Sequence, residues 1–125
     1  MAQAVRAYTP NTILGTDKDK DTERAALESG VLDGILDERT LADCDLLLIA
    51  LYPRDVVAYI RRHAAKIKKG ACVVDLCGVK RAVCDLPVAL SLEQGFHFIG
   101  GHPMAGRELS GYAAATPDLF EDASM

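Results

Sequence analysis

Short apolar runs alternate along the chain with longer stretches in which apolar residues recur at helical spacing. This alternation predicts β-α-β units around a parallel sheet. The apolar runs, each a predicted strand, span residues 12–17, 46–51, 71–75 and 95–101. The helical stretches span residues 1–8, 21–29, 54–69 and 79–93, and a short helix is expected within a loop at 107–125.

Individual residues refine this pattern. Pro87 predicts a bend or break in the helix at 79–93, because proline has no amide hydrogen to donate. The run at 46–51 contains no polar residue, which predicts a strand buried on both faces. Residues 31–39 show no clear period and are expected to be irregular.

The helix at 21–29 is predicted to be amphipathic. The order of polar and apolar residues places Glu23 and Arg24 on the outward face and the apolar residues 25–27 on the inward face. Gly30 is expected to end the helix. Asp17 lies just before this helix, at the end of the predicted strand 12–17. That position matters for function.

In dinucleotide-binding units, an acidic residue that binds the ribose hydroxyls lies about 20 residues after a glycine-rich turn. Asp17 is such a residue, and counting back places the turn upstream of Met1. No G-x-G-x-x-G motif occurs in the chain. The spacing alone leaves two interpretations of Asp17 open: a ribose ligand, or a loop aspartate that caps the next helix. We expect an α/β, Rossmann-type doubly wound parallel sheet that lacks its first strand and its glycine-rich loop.

Composition places the chain among soluble single domains. It has 125 residues, of which 50% are hydrophobic and 26% charged. No apolar run approaches the ~20 residues of a membrane-spanning helix, and the start does not resemble a secretory signal, so cytoplasm is the expected location. A net charge of −4 argues against a nucleic-acid partner. The four cysteines form no C-x-x-C pair, so we expect reduced thiols and no metal site.

Four segments resemble, in family order, the sequence blocks of the prephenate and arogenate dehydrogenases. The most specific is similar to the family signature G-G-H-P-M-A-G-x-E-x-S-G, and the others resemble its D-L-V-I-L-A-V-P strand and cofactor loop, its D-x-G-S-V-K segment and its L-F-E. In this chain the segments are 100–111, 45–53, 75–80 and 119–121. The chain is therefore identified as similar to the nucleotide-binding domain of this family over almost its whole length.

The resemblance implies an oxidoreductase that uses NAD and belongs to tyrosine, and hence aromatic amino acid, biosynthesis. The substrate, prephenate or arogenate, would lose a hydride to the nicotinamide and then carbon dioxide as its ring aromatises. This chemistry needs a base at the ring hydroxyl, and histidine suits the task because its ordinary pKa of about 6.5 leaves it mostly neutral near pH 7. His102 matches the catalytic position of the family. The other histidines, His63 and His97, are expected to be ordinary structural or surface residues.

Further site residues follow from the same resemblance. Glu108 matches an acidic residue near the substrate, with a solvated glutamate at a helix start as the alternative. Leu51, Tyr52 and Pro53 match the cofactor loop. Gly78 stands at a substrate-side position where the family commonly has serine, and it is preceded by Cys77 where glycine is usual. Either water or the Cys77 thiol takes over the serine's role, or the site is tuned differently.

The family's helical C-terminal domain, which forms the homodimer, has no counterpart in residues 1–125. We therefore expect a partial NAD-binding domain truncated at both ends and inactive by itself. The rival interpretation is a non-catalytic module that pairs its exposed strands with a partner, because removing a central strand leaves unpaired backbone edges.

Overall fold

The computed structural model describes residues 1–105 and 111–124. The chain forms two compact units, one made of Met1–Asp37 with Pro103–Ser124 and the other of Glu38–His102. Within the described residues, no helix combines the length and apolar character that crossing a bilayer requires.

The first unit contains a small parallel sheet and two helices. Its elements are helix α1 (Ala2–Tyr8), strand β1 (Leu14–Gly15), helix α2 (Lys20–Glu28) and strand β2 (Gly34–Ile35), followed by two 3-10 turns, Tyr112–Ala114 and Pro117–Phe120. Strands β1 and β2 pair in parallel, with Leu14 opposite Gly34. The expectation that residues 31–39 are irregular is therefore wrong at β2, because two residues are too few to show a period of two.

Helix α2 begins and ends close to its predicted bounds. The Asp19 side chain caps it by accepting the amide hydrogen of Asp21 at 3.0 Å, and the chain leaves the helix through Gly30 at φ +72°. Ala26 is buried as predicted. The prediction for Glu23 is wrong, since its side chain is only 11% exposed. Polar partners outside the helix, described below, account for this burial.

The second unit is a three-stranded parallel sheet with helical connections. After a 3-10 turn (Thr40–Asp43) come strand β3 (Leu46–Ile49), helix α3 (Pro53–His63) with a 3-10 turn (Ala64–Lys66), strand β4 (Cys72–Asp75), helix α4 (Asp85–Gln94) and strand β5 (His97–Gly100). The strand order is β3-β4-β5, and Asp75 lies opposite Ile49 on one side and Gly100 on the other.

The core of this unit lies between α3 and the sheet's central strand. Val56 and Ile60, four residues apart on α3, and Val73 on β4 are fully buried, as the helical spacing and the apolar run predict. Strand β3 is only partly as expected. Leu47 is buried, but Leu46 is 53% exposed, because β3 is an edge strand of this sheet.

Helix α4 begins later than predicted. Its first residue is Asp85, so Pro87 lies in the first turn, where no intrahelical amide donor is needed. The predicted break inside a longer helix is thus replaced by a later start. Gly95 ends the helix in the left-handed conformation that glycine adopts without steric cost.

Candidate functional site

The carboxyl ends of β3, β4 and β5 bring three loops to one edge of the sheet. Ala50 begins the first loop, Leu76 the second and Gly101 the third. The three strands are parallel and in register, so their carboxyl ends meet at the same edge. Open α/β sheets place their ligands at this edge.

His102 and Gly78 meet at this edge. The His102 side chain is exposed, and its ring lies against the backbone of Gly78. A Cβ atom at Gly78 would stand 2.7 Å from Cε1, 3.1 Å from Nδ1 and 3.6 Å from Nε2 of the imidazole. The structure therefore brings together two residues that the sequence assigned to the substrate side of the site.

Asp75 anchors the loops on both sides of this contact. Its carboxylate is fully buried, pairs with the ammonium group of Lys80 and accepts the amide hydrogen of Cys77 at 3.1 Å. Its main-chain carbonyl accepts the amide hydrogen of Gly101 at 2.8 Å. One residue at the end of β4 thus positions the loops that carry Gly78 and His102.

Sequence reasoning missed this anchoring role. The available signal was an aspartate that ends an otherwise apolar strand, with Lys80 five residues later. A buried carboxylate is stable only when it is paired and hydrogen-bonded, so its position implied a nearby cation.

The Cys77 thiol is directed toward the anchor. Its Sγ donates to Asp75 Oδ2 at 3.3 Å and to the carbonyl of Val79 at 3.7 Å. Burial raises the pKa of this thiol, and the Asp75 carboxylate adds to that increase. The thiol is therefore a neutral donor to Asp75 in this structure.

The loop after β3 exposes apolar surface at the same edge. Tyr52 is 76% exposed and Leu51 is exposed as well. The carbonyl of Tyr52 accepts the amide hydrogens of Asp55 and Val56, and Pro53 takes the first helical position, which fixes where α3 begins. Exposed apolar and aromatic groups suit the planar rings of a dinucleotide.

Asp17 belongs to the other unit, where it is exposed. Its Oδ1 accepts the amide hydrogen of Asp19 at 2.9 Å. The cap of α2 is Asp19, so the interpretation of Asp17 as the helix cap is wrong. An exposed carboxylate has further acceptor capacity, which fits the two hydroxyl groups of a ribose.

The remaining predicted site residues are placed as follows. Glu108 lies outside the described residues. His97 is exposed on β5, whereas the ring of His63 packs against Tyr59 with centroids 4.5 Å apart. Among residues 1–105 and 111–124, no three His, Cys, Asp or Glu side chains are grouped to hold a metal ion.

Comparisons with known proteins show what this chain is similar to. The family model described as prephenate dehydrogenase, nucleotide-binding domain, matches residues 1–125. The prephenate dehydrogenase of Lactococcus lactis subsp. cremoris (strain MG1363) is 31% identical over 121 residues, which cover 94% of this chain and 34% of that protein. That of Bacillus subtilis (strain 168) is 31% identical over 127 residues, covering 98% and 34%. The chain thus spans about a third of the length of these curated relatives.

A solved structure shows the same fold. The crystal structure of prephenate dehydrogenase from Aquifex aeolicus superposes with a TM-score of 0.80 at 25% sequence identity, over 98% of this chain and 44% of that one. Together with the parallel strands and their helical connections, this confirms the predicted Rossmann-like α/β fold.

Proposed function

The chain belongs to the prephenate dehydrogenase family, and from this membership we propose that the protein catalyses the NAD-dependent oxidative decarboxylation of prephenate to 4-hydroxyphenylpyruvate, a step of tyrosine biosynthesis in the cytoplasm. Arogenate is the alternative substrate of the same chemistry. The observation that carries the proposal is the exposed imidazole of His102, held against Gly78 at the carboxyl edge of a parallel sheet.

In the proposed reaction His102 accepts the proton of the ring hydroxyl. Loss of that proton pushes electrons toward the carbinol carbon, whose hydrogen leaves as hydride. The bond from the ring to the carboxylate then breaks, carbon dioxide leaves, and the electron pair of that bond makes the ring aromatic. The resulting phenolate oxygen takes back the proton held by His102, which gives the neutral phenol and restores the base. Bound NAD supplies the hydride acceptor. A positioned base of this kind contributes about 10² to 10⁴ in rate.

The other residues take supporting roles in this proposal. Asp75 and Lys80 hold the loop that brings Gly78 beside the imidazole. Gly78 has no side chain, so the imidazole of His102 can lie directly against its backbone. Glu108 is proposed to lie near the substrate, as in the family signature.

We assign the cofactor to two groups of residues, each within its own unit. The apolar surface of Leu51, Tyr52 and Pro53 is proposed to contact the dinucleotide. Asp17 is proposed to accept the hydroxyls of the adenosine ribose, and its charge would repel the 2′-phosphate of NADP, which favours NAD. Lys18 would soften that repulsion, whereas the ammonium group of Lys20 is paired with Glu23.

We further propose that the full-length protein acts as a homodimer, with this chain as its nucleotide-binding part. The chain covers 34% of each curated relative, which supports its role as one part of a longer protein, whereas the homodimer is proposed from the family resemblance alone. Substrate-binding residues outside residues 1–125 would then complete the pocket.

Assays with each combination of substrate and cofactor test the proposed function. The full-length protein is incubated with prephenate or arogenate and with NAD or NADP, and reduced nicotinamide, carbon dioxide and the aromatic product are quantified together. Prephenate with NAD is expected to give the highest kcat/KM, with one carbon dioxide per reduced cofactor. Absence of turnover with both substrates in a folded protein that binds NAD would refute the proposal.

A further inference from the structure

Glu23 holds its carboxylate among hydrogen-bond donors next to Asp17. Its Oε2 accepts the hydroxyl of Thr16 at 2.9 Å and the amide hydrogen of Asp17 at 3.2 Å. The ammonium group of Lys20 lies 2.9 Å from Oε1 and 3.0 Å from Oε2. A hydroxyl, a backbone amide and an ammonium group thus converge on one anion.

The electrostatics keep this carboxylate charged. The hydrogen bond from Lys20 lowers the pKa of Glu23 most, followed by that from Thr16, and together they outweigh the opposing effect of desolvation. With its side chain only 11% exposed, Glu23 presents little of this charge to bulk water. It is therefore an ion held by the segment that carries Asp17.

The N-terminal cap of α2 does not use the Glu23 carboxylate. Asp19 caps the helix through its own side chain, and Thr22 donates its hydroxyl to that cap at 2.9 Å. Glu23 instead reaches back to Thr16 and Asp17, which precede the helix. Its contacts serve the segment that carries Asp17.

A hydroxyl, a backbone amide and a cation are also the donors that bind a phosphate group. If Asp17 holds the adenosine ribose, as the proposed function assigns, a 2′-phosphate would arrive beside this segment. We propose that Glu23 is a specificity-determining residue that excludes the 2′-phosphate of NADP, because its carboxylate already occupies the donors and adds a second negative charge. The inference rests on the proposed function through Asp17.

Two substitutions separate the charge from the hydrogen bonds. Glu23→Gln keeps an oxygen that can accept from Thr16 and Asp17 but removes the charge and releases Lys20. Glu23→Ala also frees the donors. We expect the ratio of the dissociation constants of NADP and NAD to fall about tenfold in the first variant and further in the second, because charge contacts at partly exposed sites are of this order.

Glu28→Gln provides the matched control. It removes the same charge from the same helix at an exposed position. The ratio of the dissociation constants of NADP and NAD should therefore stay unchanged in this variant. Calorimetry on the full-length protein gives both dissociation constants without turnover, and thermal melts of the unliganded variants report folding. If Glu23→Ala fails to fold, the near-isosteric Glu23→Gln decides.

Asp17→Ser separates a failure of the proposed role of Glu23 from a failure of the assignment of Asp17 to the ribose. Weaker NAD binding in Asp17→Ser, with an unchanged ratio in folded Glu23→Gln, would overturn the role of Glu23 alone. Unchanged NAD binding in Asp17→Ser would overturn the assignment of Asp17 to the ribose and the inference about Glu23 with it. A lower ratio in both Glu23 variants, with Glu28→Gln unchanged, supports the inference.

Discussion

The imidazole of His102 occupies the space where a side chain at residue 78 would begin. A Cβ on Gly78 would lie 2.7 Å from Cε1 of the ring, closer than two such carbons can approach. The observed position of His102 therefore requires glycine at residue 78. The serine that the family commonly carries there is incompatible with this ring position.

Substituting Gly78 should move the ring. The backbone of Gly78 does not have positive φ and the ring of His102 is exposed, so the free energy of unfolding should change by less than about 1 kcal/mol in Gly78→Ala and Gly78→Ser. The Cε1–Hε1 signal of His102 in a carbon–proton NMR spectrum should shift in both. Comparing the two variants separates the added volume from the added hydroxyl. A loss above about 2 kcal/mol would show that the ring is fixed.

His102→Asn should abolish most catalysis without unfolding the protein. An exposed loop side chain contributes little to the core, whereas removal of a general base is expected to lower kcat by about 10² to 10⁴. His97→Asn, at an exposed histidine of β5, is the control and should retain activity. A lower melting temperature with little change in the kcat of the folded fraction would instead identify His102 as structural.

Lys80→Met should destabilise the second unit. It leaves the fully buried carboxylate of Asp75 without its cation, at a cost of about 3 kcal/mol. The control is Lys68→Met, which breaks an ion pair to the exposed side chain of Asp45 and should cost less than about 1 kcal/mol. Urea denaturation measures both. Equal effects of the two substitutions would contradict the anchoring role of Asp75.

Stability should decline in mildly acidic solution because of His63, whose side chain is 13% exposed. Burial lowers its pKa from the ordinary 6.5, followed by the charge of Arg62 and, more weakly, that of Lys66, against the opposing effect of Glu38. The folded-state pKa lies below the unfolded one, so the unfolded chain takes up the proton first. This contribution to stability is present above about pH 6.5 and is lost as the pH falls toward the folded-state pKa.

His63→Phe tests this pH dependence, since it keeps an aromatic ring against Tyr59 but removes the titration. The slope of the unfolding free energy between about pH 7 and pH 5 should flatten. His97→Gln, at an exposed histidine, should keep the slope of the unsubstituted protein. An unchanged slope in His63→Phe would assign the acid sensitivity to other groups.

The 125-residue chain by itself is predicted to self-associate and to bind NAD weakly. Strand β3 is an edge of its sheet and carries Leu46 with 53% of its surface exposed, and such edges pair with other chains. Leu46→Lys should reduce the association seen in sedimentation velocity. Leu92→Lys, at an exposed leucine on helix α4, is the control for added charge and should have less effect. A monomeric unsubstituted chain would contradict the prediction.

Much of the second unit could be predicted from sequence because its signals are local. The apolar spacing of α3 and the continuous run of β4 each repeat over enough residues to define a period. The prediction from Pro87 is wrong, because this proline lies in the first turn of α4 rather than at a bend or break inside a longer helix. The assignment of His102 and Gly78 to one site came from the family resemblance and not from the periodicity of the sequence.

The sequence by itself determined the parallel strands and the order of the elements apart from β2, because these depend on neighbours along the chain. It offered Asp17 as a candidate through its spacing and His102 through the family resemblance. Only the tertiary structure decided that the His102 ring takes the place of a side chain at Gly78 and that Asp75 is neutralised by Lys80. It also decided that Glu23 is turned from water toward Thr16 and Asp17. The helical period describes only a helix's own faces, whereas the burial of a carboxylate is set by donors that other segments bring to it.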